Sequence, residues 1–321
     1  EKSLRMQSST AKFYALKVAA INFAMKIKDV VTDVLVRMAE CINTEVIKVI
    51  IRSLVDNRAI SSDWQSVHGL SFYIETEKHR LLFDLGPQHT LIQNASKAGI
   101  DLNTIDLVVL SHGHDDHGGG LGYFLEMNDK APVYVRKHAF DHHYSIQNNG
   151  QPKEVSLDTK RSVIDRFIIT DDSYEIDDEL LLFPTTLNHH STLSANKNLY
   201  QMTKSGLKSD DFNHEQHLLV RTEEAEVLIC GCAHGGISAI METAKVLLGH
   251  YPKYVIGGFH LGSRTGLTTP VDDIIALAKT LMKTEAHFYT CHCTGYEGYQ
   301  IMKNIMKDQL DYFATGNLLL L

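Results

Sequence analysis

The sequence predicts a layered α/β fold, and three observations carry that expectation. Apolar, β-branched stretches alternate with amphipathic helical stretches along most of the chain. Three strands end in Gly- or Cys-rich turns that bear a histidine, and a helix follows each turn. Of 321 residues, 44% are hydrophobic and 22% charged, enough apolar material for a large core and contrary to disordered or fibrous classes.

Residues 10–43 read as one long helix. Leu16, Ala20, Phe23, Ile27, Val30, Val34, Met38 and Cys41 recur at spacings that mostly alternate four and three, a heptad-like stripe. The stripe is expected to pack on its own domain, or to self-associate as a short coiled coil and so make a homo-oligomer. A boundary is placed after it, giving an N-terminal amphipathic helix at 1–44 and one large domain at 45–321. Residues 46–51 are β-branched and apolar and read as a strand ending toward Asp56-Asn57. Residues 68–76 and 79–85 form a hairpin, and 87–98 a helix that stops at Gly99. Residues 105–110 are a short strand of the buried kind. Strands follow at 132–136, 166–170, 180–183, 217–221 and 226–230, then a helix to Leu248. Residues 254–260 precede a helix that opens at Pro270, a good first-turn residue. A last strand at 287–290 runs into Cys291-His292-Cys293-Thr294-Gly295 and another helix. The polar stretches 141–162 and 187–213 read as loops facing substrate.

The formal net charge of -8 argues against a protein that lives on nucleic-acid phosphates. No apolar run reaches the roughly 20 residues that cross a bilayer, and no signal peptide is recognisable. The expected setting is the cytoplasm, with a small-molecule substrate and neither nucleic acid nor membrane as partner. Five cysteines, an odd count, do not suggest a disulfide framework. Four of them form the pairs Cys230/Cys232 and Cys291/Cys293; at least two read as buried apolar thiols, and Cys-x-Cys on strands is a poor basis for a four-thiolate zinc site.

Histidine is the unusual residue, with 18 copies, many beside Gly, Asp or Cys. The strand at 105–110 enters Ser111-His112-Gly113-His114-Asp115-Asp116-His117, followed by glycines 118–120. Four ligand-type residues, His112, His114, Asp116 and His117, fall within six positions. In a tight loop they can converge, and imidazole with carboxylate suits zinc, manganese or iron. A lone loop histidine is usually a solvated side chain, but that reading does not account for four at once. Two metals a few ångströms apart could share an activated water.

This pattern resembles the metallo-β-lactamase superfamily, whose signature is His-x-His-x-Asp-His after a core strand. Further segments are similar to one subfamily: Asp56-Asn57, His68-Gly69-Leu70-Ser71, Leu82-Phe83-Asp84-Leu85-Gly86, Gly231-Cys232-Ala233-His234, Gly257-Gly258-Phe259-His260-Leu261 and Cys291-His292-Cys293-Thr294-Gly295. That subfamily is named for 7,8-dihydropterin-6-methyl-4-(β-D-ribofuranosyl)-aminobenzene-5'-phosphate synthase, and the likeness covers about residues 45–321. The resemblance implies an αββα sandwich with the metals at one edge. It implies His112 and His114 on a first metal, Asp116 and His117 on a second, and His234 and His292 as the later histidine ligands. Cys232 stands where many members carry a metal-bridging aspartate, which puts a bridged pair in doubt or substitutes a thiolate that favours softer metals.

His260 follows two glycines and is read as a substrate contact or proton donor. Glu215-Gln216 orients a ligand, contacts substrate or caps the next strand, and Asp115 adds charge beside the site. His142-His143 and His189-His190 lie in polar segments and read as solvated. The expected protein is an enzyme with two divalent transition-metal ions, zinc before iron or manganese. It would use a metal-activated water, held with the help of Asp116, on a pterin- or phosphate-bearing small molecule. The alternatives are a general hydrolase of an ester, lactone or phosphodiester and, from another class, a non-catalytic metal-binding assembly module.

Overall fold

The computed structural model describes residues 49–157, 165–185, 193–222, 226–264 and 266–321. The expected helix at 10–43, the boundary at 44/45 and His189-His190 lie outside them. The compact unit spanning residues 48–321 is built on two seven-stranded sheets.

The first sheet runs in the order Leu318–Leu320, Ile50–Val55, Ser71–Glu75, Arg80–Phe83, Leu107–Val109, Val133–Arg136 and Phe167–Thr170. The hairpin pairs Phe72 with Phe83 and Ile74 with Leu81. The second runs Leu310–Tyr312, His287–Thr290, Tyr254–Gly257, Glu226–Ile229, His217–Arg221, Leu180–Phe183 and Tyr174–Glu175. Its strands from 226 onward are parallel, as crossover helices require.

Alternation along each strand makes three apolar layers. Phe72, Ile74, Leu81, Phe83 and Val109 meet Leu180, Leu182, Leu218, Val220, Val227 and Ile229 in the central layer. The intervening residues point outward. Leu82 and Val108 pack on the helices Thr90–Ala98 and Leu121–Met127. Leu219, Leu228 and Val255 pack on Ile237–Leu248, Val271–Met282 and Tyr296–Met306. The result is the expected αββα sandwich. Each fully buried Leu or Phe in these layers contributes roughly 1.5–3 kcal/mol. The helix at 90–98 closes at Gly99, whose φ of 73° is left-handed and whose N–H donates to the carbonyls of Ala95 and Ser96.

Two expectations need correction. The strand placed at 46–51 continues to Val55, its described part being Ile50–Val55, and positions 46–48 lie outside the described residues. The polar stretches read as loops contain a four-stranded antiparallel sheet, in the order Gly206–Ser209, Leu199–Thr203, His143–Ile146 and Pro152–Glu154. Its strands are largely exposed, so they lack the apolar alternation that marks a half-buried strand. The isolated bridge between His114 and Ser156, with the Asp115 N–H on the Val155 carbonyl at 2.8 Å, ties this sheet to the histidine loop. Among the described residues, no helix is long and apolar enough to cross a membrane.

Candidate metal centre

The ligand-type residues come together where strands of both sheets end. Leu107–Val109 delivers the loop 111–117, Glu226–Ile229 delivers Cys232 and His234, Tyr254–Gly257 delivers His260, and His287–Thr290 delivers His292. Ala233, His260 and His292 hold left-handed backbone, with φ of 55°, 49° and 49°. Each such residue costs on the order of 1–3 kcal/mol. Gly231 is required by proximity, since a Cβ there would stand 2.2 Å from Ser111 Oγ.

Two groups of donors take up the six ligands expected from the sequence. In one, ligand atoms of His112, His114 and His234 lie within 4.8 Å of one another, and all three side chains are buried. The Nε2 atoms of all three have no hydrogen-bond partner. Burial, then the neighbouring imidazoles, holds each well below the ordinary histidine pKa, so each is neutral. In the other group, His117 Nε2 is 3.2 Å from His292 Nε2. Asp116 Oδ2 is 3.5 Å from His292 Nε2, and Asp116 Oδ1 is 4.0 Å from His117 Nε2.

Hydrogen bonds on the far side of four rings select the tautomer. His117 Nδ1 is 2.6 Å from Asp84 Oδ2, and His112 Nδ1 is 2.7 Å from Ser111 Oγ, whose hydroxyl donates to Asp84 at 2.7 Å. His234 Nδ1 donates to Asn196 Oδ1 at 3.0 Å and His292 Nδ1 to Asn57 Oδ1 at 2.9 Å. In all four, Nδ1–H is the donor and the Nε2 lone pair is left for the centre. His117 Nε2 and His292 Nε2 face one another at 3.2 Å, with either a proton or a metal ion between them. Burial pulls His117 down, but Asp84 and Asp116 outweigh it and hold its pKa up at about 9. With no metal bound, His117 is therefore an imidazolium whose Nε2–H donates to His292 Nε2.

The backbone of these turns is anchored as well. The Glu215 carboxylate accepts the N–H groups of His234 and Gly235 at 2.7 and 2.8 Å, and burial raises its pKa to about 7. Asp56 accepts the N–H of His292 at 2.6 Å, and burial raises it to about 6.

The six expected ligands are therefore all among the described residues. His112, His114 and His234 form one triad, and Asp116, His117 and His292 the other. His260 lies tilted against His234 with ring centroids 4.2 Å apart, and its ligand atom is within 4.8 Å of those of Cys232 and His234. Asp115 is partly buried beside Asp116; burial, then that neighbouring charge, raises its carboxyl.

Several residues were not singled out. Asp84 and Asn57 were quoted only as parts of motifs, and Asn196 carried no signal. His68 Nε2 is 3.0 Å from Asp116 Oδ2, with its ring 4.7 Å from that of His292. His143 was read as solvated but is fully buried, with Nδ1 2.9 Å from Asp210 Oδ2. His142 beside it is exposed and pairs with Glu154 at 2.6 Å. His214 Nδ1 accepts the Gly113 N–H at 2.9 Å, and its Nε2 lies 3.3 Å from the same Asp210.

Comparison with known proteins agrees with this architecture. Residues 66–195 match the model of the metallo-beta-lactamase superfamily. The chain is 25% identical over 279 residues to the 7,8-dihydropterin-6-methyl-4-(beta-D-ribofuranosyl)-aminobenzene-5'-phosphate synthase of Methanocaldococcus jannaschii, covering 82% of this chain and 93% of that one. It is 29% identical over 275 residues to an uncharacterised protein of the same organism, with 83% and 97% coverage. Among solved structures, Tm1679, a metal-dependent hydrolase of the beta-lactamase superfamily, superposes with a TM-score of 0.70 at 28% identity, covering 85% of this chain and 99% of that one.

Proposed function

We propose that this chain, which has the metallo-β-lactamase fold, is an enzyme that holds two divalent transition metals and works on a pterin- or phosphate-bearing small molecule. One observation carries the metal reading: buried Nε2 atoms of His112, His114 and His234 without partners, beside His117 and His292 with their Nε2 atoms 3.2 Å apart. His112, His114 and His234 would hold one ion, and Asp116, His117 and His292 the other. Bound there, divalent metals would supply an activated water and polarise a carbonyl or phosphoryl oxygen. Zinc suits this donor set best, with iron or manganese as alternatives.

The protein's own groups prepare that chemistry. Asp84, Asn57 and Asn196 fix the ring tautomers, and Glu215 and Asp56 pin the turns. His68 holds one oxygen of Asp116. His260, beside His234, is the candidate to touch substrate or pass a proton.

Support for the substrate class is the 25% identity to the dihydropterin-linked synthase across most of both chains. A second reading, general hydrolysis of an ester, lactone or phosphodiester, is favoured by the likeness to a metal-dependent hydrolase at a TM-score of 0.70. Elemental analysis of protein purified without oxygen, followed by a panel of dihydropterin phosphates, lactones and phosphodiesters, tests both. Less than half an equivalent of every transition metal would sink the metal reading. Turnover of only the lactones or phosphodiesters would select the second. We further propose that nucleic acid is not a partner, given the net charge of -8; submicromolar, salt-dependent binding in a mobility shift would overturn this.

A further inference from the structure

Cys232 leaves the strand Glu226–Ile229 and ends between the two donor triads. Its Sγ lies within 4.8 Å of ligand atoms on His112 and His117, on His234 and His260, and on His292. It is 3.2 Å from His117 Nε2. Two ligands of one tetrahedral zinc, with Zn–S about 2.3 Å and Zn–N about 2.0–2.1 Å, lie roughly 3.6 Å apart. The sulfur is thus at co-ligand range of His117 and within 4.8 Å of His112 and His234 in the other triad.

We infer that Cys232 Sγ, as a thiolate, is a ligand shared by both metal positions, in the place where the resemblance expects a bridging carboxylate. The inference rests on the two-metal reading above. Sulfur has the lone pairs to bind two ions, and the thiol gives up its proton to solvent as the metal–sulfur bonds form. The second thiol nearby, Cys293, has its Sγ within 4.8 Å of ligand atoms on Cys232 and His292 and also donates to the Cys232 carbonyl at 3.5 Å. Gly258 lets that sulfur sit close, since a Cβ there would stand 2.4 Å from it. Cys293 thus braces the turn that carries Cys232. A shared thiolate biases the centre toward zinc, iron or cobalt and away from magnesium and calcium.

Cobalt(II) titration of the metal-free full chain under anaerobic conditions tests this with two readouts, bound cobalt and the near-ultraviolet sulfur-to-cobalt charge-transfer band. The expected result is two bound equivalents with the band growing through both. Cys232→Ser abolishes the band and weakens cobalt binding at least about tenfold, whereas Cys293→Ser keeps the band. Cys232→Asp, which restores a carboxylate, binds two cobalts without the band. Two bound cobalts with no band in the unaltered protein overturn the inference and leave the two-metal reading standing. A band that grows through one equivalent only makes the sulfur a terminal ligand and overturns the sharing. Loss of the band in Cys293→Ser but not in Cys232→Ser assigns the wrong thiol and overturns it too. Failure to bind any cobalt removes both the inference and the reading beneath it.

Discussion

Asp84 Oδ2 lies 2.6 Å from His117 Nδ1, and both side chains are completely buried. The same carboxylate accepts the backbone N–H and the hydroxyl of Ser111 at 2.7 Å, and through that hydroxyl it also fixes His112. One carboxylate thus sets the tautomer of a histidine in each triad. Asparagine at this position presents an N–H where His117 now finds an acceptor. Asp84→Asn is expected to weaken metal binding by about 10–100-fold while leaving the far-ultraviolet circular dichroism unchanged. Competition against a chromogenic chelator measures this, and an unaltered affinity would show that the carboxylate is only structural.

Asn196 does for His234 what Asp84 does for His117. Its Oδ1 faces His234 Nδ1 at 3.0 Å, and its Nδ2 donates to the His234 carbonyl at 2.9 Å. Asn196→Ala should loosen the His112–His114–His234 position by about 10–100-fold and spare the Asp116–His117–His292 position. Stepwise cobalt binding separates the two. Equal weakening of both steps would refute the assignment of His234 to a single triad.

The sandwich and the donors were legible because both follow from local pattern. Strand alternation at Leu81-Leu82-Phe83 or Leu218-Leu219-Val220 declares two buried faces, and four donors within the loop 112–117 declare a centre. The residues that hold the donors were not legible. Asp84 and Asn196 reach the site across 33 and 38 positions of chain, and their hydrogen bonds leave no periodic trace. His143 sits in a polar stretch whose strands pack only one face loosely, so burial there is set by Asp210 and His214, far away in sequence.

His217 gives a pH dependence free of the metal donors. Burial, then the charge of Arg136, lowers its pKa from 6.5 to about 3. The unfolded chain takes up a proton below pH 6.5, whereas the folded chain resists until about pH 3. This contribution is present above pH 6.5 and is lost as pH falls toward 3, at roughly 1.4 kcal/mol per unit. Urea unfolding of His217→Gln against the unaltered chain across that window should show a shallower acid loss in the variant. Parallel curves would mean that His217 is not buried as a neutral ring.

Arg264 is exposed and near enough to His68 and Asp115 to bias the titration of both. It is thus a cation at the mouth beside the Asp116 side of the centre. If the substrate bears a phosphate, Arg264→Ala should raise KM roughly tenfold with little change in kcat, the effect of one charge-assisted contact of about 1.5 kcal/mol. The split between KM and kcat is the readout. A fall in kcat alone would place Arg264 in the chemical step instead.

The last prediction concerns the support beneath the histidine loop. Gly113, between His112 and His114, donates its N–H to His214 Nδ1 at 2.9 Å. His214 and His143 both face Asp210 Oδ2, with their rings 3.9 Å apart. Burial pushes the Asp210 carboxyl up, but the two histidines outweigh it and hold it well below the usual range. His214→Phe keeps a ring in the cavity but strands the buried Gly113 N–H, which costs about 1–3 kcal/mol. The loop should then hold its donors less accurately, and affinity at the His112–His114–His234 position should fall by about 10–100-fold. His214→Asn carries an oxygen near the place of Nδ1 and should recover part of that loss. His142→Ala, at an exposed neighbour of the same small sheet, should change stability by less than about 0.5 kcal/mol. Thermal melts with metal titrations decide it. Equal affinities for the Phe and Asn variants would mean that the accepted hydrogen bond does not position the loop.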